Sequence, residues 1–284
     1  MKRTVKFKNG QSVPALGMGT WNMGDDATRR SDEIASLRTG LDLGLNVIDT
    51  AEMYGNGRSE NVVGEAIKGR RDEVFLVTKV LPSNASRQAA IKSCKASLKR
   101  LGTDFIDLYL LHWRGSVPLE ETIEAFEKLQ EEGHIGSWGV SNFDVADMEE
   151  LLDIPQGASC MTNQVLYCLE HRGIEFDLLD QDRASHLVTM AYSPLGQGGG
   201  MLRNQTLVNI ARQHQTSLGP ASPAQIALAW VLRQSSVLAI PKAGSAKHLK
   251  ENVAAQEIIL TAEDLAALDK AFAPPTRAVP LEVI

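Results

Sequence analysis

Short apolar runs recur along the chain, each followed by a longer stretch with helical spacing. The runs occupy 16–19 (LGMG), 46–49 (NVID), 74–80 (VFLVTKV), 105–111 (FIDLYLL), 135–141 (IGSWGVS), 160–164 (CMTNQ), 187–193 (LVTMAYS) and 237–241 (VLAIP). They are rich in β-branched residues and apolar at consecutive positions, which suits parallel strands covered on both faces. The stretches between carry helix signals. Ser86 can cap a helix running through Ile91, Cys94, Leu98 and Leu101. Pro118 opens another through Ile123, Phe126 and Leu129 that stops at Gly133, and Ser222-Pro223 sets the cap and first position of a third through Ile226, Ala229 and Trp230. Ahead of all this, TVKFK and QSVPAL flank Asn9-Gly10, a dipeptide suited to the positive φ angles of a tight turn, so an N-terminal β-hairpin is expected. Eight alternating βα units define an α/β protein and favour a closed (β/α)8 TIM barrel over an open sheet. No linker or low-complexity tract divides residues 1–284, which predicts a single domain.

Composition narrows the class. Hydrophobic residues at 43% and charged residues at 23% are ordinary for a soluble globular protein. A net charge of −6 argues against nucleic acid or an anionic membrane as partner, leaving a small molecule. Cys94, Cys160 and Cys168 show no CxxC spacing, so neither a disulfide framework nor a metal site is suggested. The opening MKRTVKFKNG lacks the apolar segment of a signal peptide and no stretch reaches bilayer length, so a cytoplasmic protein, monomeric or weakly oligomeric, is expected.

In such a barrel, chemistry sits at the C-terminal ends of the strands. The polar residues there are Asp49, Lys79, His112, Ser141-Asn142, Gln164, Tyr192-Ser193 and Lys242. Taken singly, each has a bland reading. Asp49 could cap a turn, Lys79 could be a solvated charge, His112 a satisfied half-buried imidazole, and Tyr54 a turn residue with its hydroxyl in water. Together, Asp49, Tyr54, Lys79 and His112 follow three consecutive expected strands and can converge. A phenol ionises near pH 10 in water, and a neighbouring ammonium favours phenolate, so Lys79 should lower the Tyr54 pKa and make it a better proton donor. Asp49 would hold the ammonium in place, and His112 could hydrogen-bond a substrate oxygen.

The stretches DTAEMYGNGRSENVVGEAI, VFLVTKV, DLYLLHW, WGVSN, NQVLY, AYSPLGQGG and IPKAGSAKHLKEN occur in an order that resembles the aldo-keto reductase superfamily, most closely its bacterial methylglyoxal and small-aldehyde reductases. The resemblance spans residues 16 to about 255. It implies a catalytic tetrad of Asp49, Tyr54, Lys79 and His112, with Tyr54 as proton donor and hydride arriving from NADPH without a metal ion. It further implies that Ser141, Asn142 and Gln164 hold the carboxamide of the nicotinamide, that Tyr192 stacks on its ring, and that Ser193, Leu195 and Gly196 lie along the pyrophosphate. Gly19, Thr20, Trp21 and Asp49 join these cofactor contacts, and Lys242, Ser245, His248, Glu251 and Asn252 fall at the adenosine end. This chain departs from the family pattern at Ala243, where many members have serine, and at His248, where many have arginine. NADPH is therefore expected, with NADH as a weaker alternative. Gly17-Met18-Gly19 lacks the third glycine of a Rossmann fingerprint, which the family does not use. Trp21, Tyr54, His112 and Trp113 are the expected walls for a compact neutral carbonyl, with short loops and a short tail after Pro275 leaving the pocket open. Two rival readings stand beside this one. One is a non-enzymatic binding or sensor protein on the same barrel, and the other is an isomerase or aldolase using Lys79 as a Schiff base.

Overall fold

The computed structural model describes residues 3–242 and 244–284. A hairpin of β1 (Thr4–Lys6) and β2 (Ser12–Pro14) leads into the parallel strands β3 (Met18–Gly19), β4 (Val47–Asp49), β5 (Phe75–Val80), β6 (Ile106–Leu111), β7 (Ile135–Ser141), β8 (Thr162–Leu166) and β9 (Val188–Tyr192). A small ribbon, β10 (Gln215–Thr216) and β11 (Gly219–Pro220), precedes the last parallel strand, β12 (Val237–Ala239). The eight parallel strands pair in chain order from β3 to β9 and then β12. Parallel bridges from Leu16 to Ala239 and from Gly19 to Lys242 join the first strand to the last and close the barrel.

The helices are α1 (Arg30–Asp42), α2 (Arg58–Ile67), α3 (Arg87–Leu101), α4 (Leu119–Glu131), α5 (Val145–Asp153), α6 (Leu178–Ala184), α7 (Gln205–Ala211), α8 (Pro223–Leu232), α9 (Ala246–Ala254) and α10 (Ala262–Ala271). β4, β5, β8 and β12 are buried at every position, as strands enclosed by side chains within and helices without must be. α8 begins as its sequence predicts, with Ser222 and Gln225 forming a reciprocal capping box and Pro223 in the first turn. Close approach on the outer layer is met by Gly64 in α2, where a Cβ would stand 2.7 Å from the Leu101 carbonyl oxygen.

Three local expectations are corrected, and one further element is added. The N-terminal turn is not a two-residue Asn-Gly turn. Phe7 N–H donates to Gln11 O at 2.9 Å across Lys8-Asn9-Gly10, and Gly10 alone takes a positive φ, 91°. A three-residue loop needs only its last residue left-handed. The strand expected at 160–164 runs over Thr162–Leu166 instead, because Val165 and Leu166 continue the pairing with β9. Ser86 does occupy the cap position of α3, but its side chain makes no capping bond. The β10–β11 ribbon has no apolar alternation to announce it and was not foreseen.

The hairpin covers the N-terminal end of the barrel. Val5, Phe7 and Val13 are buried, and the Phe7 ring stacks on Phe75, the first residue of β5, at 5.5 Å. The opposite, C-terminal rim is left for loops.

Candidate active site

Asp49 ends β4 and Lys79 lies one residue before the end of β5, so adjacent parallel strands carry the two charges side by side. The Lys79 ammonium is fully buried and spends its three protons on the Asp49 Oδ2 at 2.8 Å, the Thr50 carbonyl at 2.9 Å and the Tyr54 hydroxyl at 3.1 Å. Tyr54 reaches this point because the chain reverses sharply after it. Gly55, Asn56 and Gly57 are all left-handed, with φ of 57°, 52° and 85°, before α2 begins. The left-handed φ of 85° at Gly57 is what favours glycine there, since a Cβ would meet only the Arg100 side chain, at 2.5 Å. Asp49 is held from a second side by the Gln164 amide, whose Nε2 donates to Oδ1 at 2.8 Å. His112 follows β6, its ring edge-on to Tyr54 at 5.8 Å and tilted on Trp113 at 4.9 Å.

Burial and charge act in opposite directions on these groups. Burial works against the Lys79 charge, yet Asp49 and the Tyr54 phenol outweigh it and hold the lysine above its ordinary pKa. Burial raises Asp49 more than Lys79 and Gln164 lower it. For Tyr54 burial is again the largest effect, and Lys79 only offsets part of it, so the phenol lies above its usual value. The expected net lowering of Tyr54 is therefore corrected: the protein holds the phenol protonated, with the ammonium limiting how far it rises. Burial, and then the Lys79 charge, push His112 down to about 3, so the imidazole is neutral at physiological pH. Its Nδ1 is buried and has no hydrogen-bond partner among the described residues.

A cleft of about 990 Å³ opens over this cluster. Gly19, Thr20, Trp21, Asp49, Tyr54, His112, Trp113, Ser141, Asn142, Gln164, Tyr192, Ser193, Leu195, Lys242, His248, Glu251 and Asn252 all line it, as the sequence reading expected. Three expected residues do not. Lys79 is fully buried, Gly196 is passed over although its neighbours Leu195 and Gln197 line the cleft, and Ser245 accepts the His248 N–H as the cap of α9. Ala243 falls outside the described residues.

The floor is wired polar group to polar group. Ser141 Oγ donates to the Gln164 carbonyl at 2.8 Å, Asn142 Nδ2 to the His112 carbonyl at 3.1 Å, and the Tyr192 hydroxyl to Asn142 Oδ1 at 2.9 Å. Asn142 and Ser193 both hold positive φ, 56° and 46°, at the ends of β7 and β9. Strained non-glycine backbone gathers at functional rims.

Several cleft residues were missed. Met53, Arg114, Asp147 and Leu202 line it, so the walls are less purely aromatic than expected. Val283 and Ile284 also line it, which corrects the expectation that the tail leaves the pocket open. Arg29, on the turn before α1, places its Nη2 3.0 Å from where a Cβ of Gly244 would stand, beside Lys242. No short motif marks these residues, and only the folded chain brings them to the rim.

The volume tests the fit of a dinucleotide. At about 990 Å³ the cleft is larger than a small carbonyl alone needs, and its lining includes both the tetrad's Tyr54 and His112 and the exposed Lys242 and His248. That donor set fits NADPH: amide and hydroxyl groups near the tetrad for a carboxamide, and the Lys242 ammonium at the rim for a phosphate.

Fold and site together define a barrel enzyme with an ion-paired lysine and a phenol on its C-terminal face. The chain belongs to the aldo/keto reductase family of oxidoreductases, whose model matches residues 15–273. It is 50% identical over 287 residues to methylglyoxal reductase YeaE of Escherichia coli (strain K12), covering 100% of this chain and 99% of that one. It is 35% identical to the glyoxal reductase of Bacillus subtilis (strain 168), covering 95% and 92%. Among solved structures, an aldo/keto reductase from Klebsiella pneumoniae in complex with NADP and acetate superposes with a TM-score of 0.95 at 49% identity, covering both chains in full. Among the described residues, no helix is long and apolar enough to cross a membrane, and no group of His, Cys, Asp and Glu could hold a metal ion.

Proposed function

We propose that this protein uses NADPH to reduce small aldehydes and ketones, methylglyoxal-like carbonyls among them, to alcohols, with Tyr54 as proton donor. The observation that carries the reading is the Lys79 ammonium bonded at once to Asp49, Thr50 and Tyr54. NADPH, when bound, supplies the hydride. This chain's own residues handle the proton. Tyr54 enters the reaction protonated, and as negative charge builds on the substrate oxygen its O–H transfers the proton there. The phenolate that remains is stabilised by the Lys79 ammonium at 3.1 Å, and Asp49 keeps that ammonium charged and aimed. His112, neutral, can donate a ring N–H hydrogen bond to the same oxygen without competing as an acid. Trp21, Met53 and Trp113, all more than a third exposed, are apolar surface at the mouth that a compact carbonyl would cover.

Ser141, Asn142, Gln164 and Tyr192 would hold the nicotinamide, Ser193 and Leu195 the pyrophosphate, and Lys242 with its neighbours the 2′-phosphate. NADH, lacking that phosphate, would be used less well. Residues 1–284 would act as one barrel domain in the cytoplasm, as a monomer or weak oligomer, with no nucleic acid or membrane partner. The relatives reported above, a methylglyoxal reductase and a glyoxal reductase, support the substrate class. The test is a panel of aldehydes, ketones and sugars, methylglyoxal included, followed by loss of nicotinamide absorbance. Turnover fastest on small aldehydes with NADPH supports the reading. Tight NADPH binding with no turnover on any carbonyl would replace it with a sensor.

A further inference from the structure

Behind the tetrad lies a set of hydroxyls that the chemistry above does not use. Thr20 follows β3, Thr50 follows β4, and Ser59 is the second residue of α2; all are completely buried. Ser59 Oγ lies 3.1 Å from Thr50 Oγ1, 2.8 Å from Thr20 Oγ1 and 2.9 Å from the Thr20 carbonyl. Thr20 Oγ1 in turn lies 2.9 Å from the Asp49 carbonyl.

Each hydroxyl has one proton, and that count orders the chain. A carbonyl can only accept, so the Thr20 proton goes to Asp49 O. The Ser59 proton then goes to Thr20, whose hydroxyl and carbonyl oxygens both face it. Thr50 is left as the donor to Ser59. The direction runs Thr50 to Ser59 to Thr20 to Asp49, so Ser59, on α2, ties Thr50 to Thr20, whose own hydroxyl bonds back to Asp49. The β4 end holds Lys79: Asp49 supplies its carboxylate and Thr50 its carbonyl, two of the three acceptors on the ammonium. The third is the Tyr54 hydroxyl. Any shift of Asp49-Thr50 therefore moves the ammonium relative to the phenol.

We propose that Ser59 is a positioning residue for proton donation by Tyr54, acting through Thr20 and Thr50 to fix the Lys79 ammonium against the phenol. The proposal rests on the proton-donor reading above. Ser59 does not line the cleft, so it touches neither substrate nor cofactor.

The test combines Ser59→Ala, Thr50→Val, Tyr54→Phe and the doubles with Tyr54→Phe. Three readouts apply: kcat and KM for methylglyoxal, NADPH affinity by protein fluorescence, and the ring-carbon NMR signals of the four tyrosines. Ser59→Ala is expected to lower kcat about tenfold with KM and NADPH affinity within about twofold, and to add nothing in the Tyr54→Phe background, since coupled residues are non-additive. It is also expected to move the Tyr54 signal while those of Tyr167 and Tyr192 stay in place. Thr50→Val breaks the same chain at its other end and should repeat the pattern if Ser59→Ala does not fold. An unmoved Tyr54 signal, or an equal kcat loss with and without the Tyr54 hydroxyl, would overturn the proposal. Undiminished turnover by Tyr54→Phe alone would overturn the proton-donor reading instead, and the two failures are thus separable.

Discussion

A buried phenol beside a buried ammonium can be tuned in either direction, and here desolvation wins for Tyr54 while charge pairing wins for Lys79. The consequence is a tyrosine that is protonated before the reaction and stabilised as phenolate only after it gives up the proton. Tyr54→Phe should therefore lower kcat by about 10²–10⁴-fold, the usual share of a positioned acid, while NADPH affinity and melting temperature stay near wild type. Near-normal turnover would sink the assignment. His112 sets a second expectation. Because it is held at about 3, it adds no ionisation between pH 5 and 8, and the kcat profile should show no limb near the ordinary histidine value. The same shift bears on stability: between pH 6.5 and 3 the unfolded chain binds the proton that the native imidazole refuses. Wild type should thus lose stability relative to His112→Asn as pH falls through that window, by at most about 1.4 kcal/mol per pH unit. At the far rim, Lys242→Ala should weaken NADPH roughly tenfold, about 1.4 kcal/mol, and NADH hardly at all. Equal losses, measured by titration of each cofactor, would remove Lys242 from the 2′-phosphate.

Elements were the most legible scale in the sequence, and for a physical reason. Strands buried on both faces leave dense apolar runs, so all the barrel strands could be read from the chain, with β8 displaced by two residues because the polar Thr-Asn-Gln lies inside the strand. The tetrad was legible because its residues sit at those strand ends. Met53, Arg114 and Ile284 were not, since each reaches the cleft from a loop or tail whose path no periodicity encodes. The hydroxyl chain through Ser59 was equally hidden, as serine and threonine look alike whether they cap, turn or bond across strands. Asp182 is another element-scale feature that only coordinates disclose. It anchors α6 to β9 by accepting the Thr189 hydroxyl at 2.8 Å, and its Oδ1 has no hydrogen-bond partner among the described residues. Burial pushes this carboxyl up to about 7, and the neighbouring Cys160 thiol, pushed up to about 12, stays protonated too. With a native pKa raised above the unfolded one, the native state holds a proton that the unfolded state has lost. That stabilisation is present below pH 3.8 and is lost as pH rises through 7. Relative to Asp182→Asn, wild type should lose thermal stability between about pH 4 and 7 and then level off; parallel melting curves for the two proteins would contradict it.

At the scale of the whole molecule, the barrel separates what keeps it folded from what it does. Chemistry gathers on the C-terminal rim, where strand ends leave polar groups unpaired by the sheet, while the hairpin plugs the other end with apolar side chains. Phe7 is 3% exposed and stacks on Phe75 at the base of β5, at the far end of that strand from Lys79. Removing the ring leaves a cavity at the base that flanking barrel strands, fixed by their own ladders, cannot close. Phe7→Ala should therefore cost about 3–5 kcal/mol of stability in a denaturant titration. Yet the Lys79–Asp49 pair sits at the upper end of the β4–β5 ladder, under the loops above it, whereas the hairpin meets that ladder only at its base, where Phe7 stacks on Phe75 opposite Val47. The kcat and KM of Phe7→Ala, assayed well below its melting temperature, should match wild type. A fall in kcat in step with the lost stability would mean that the rim is strained by the base, and that the two ends of this barrel are not independent.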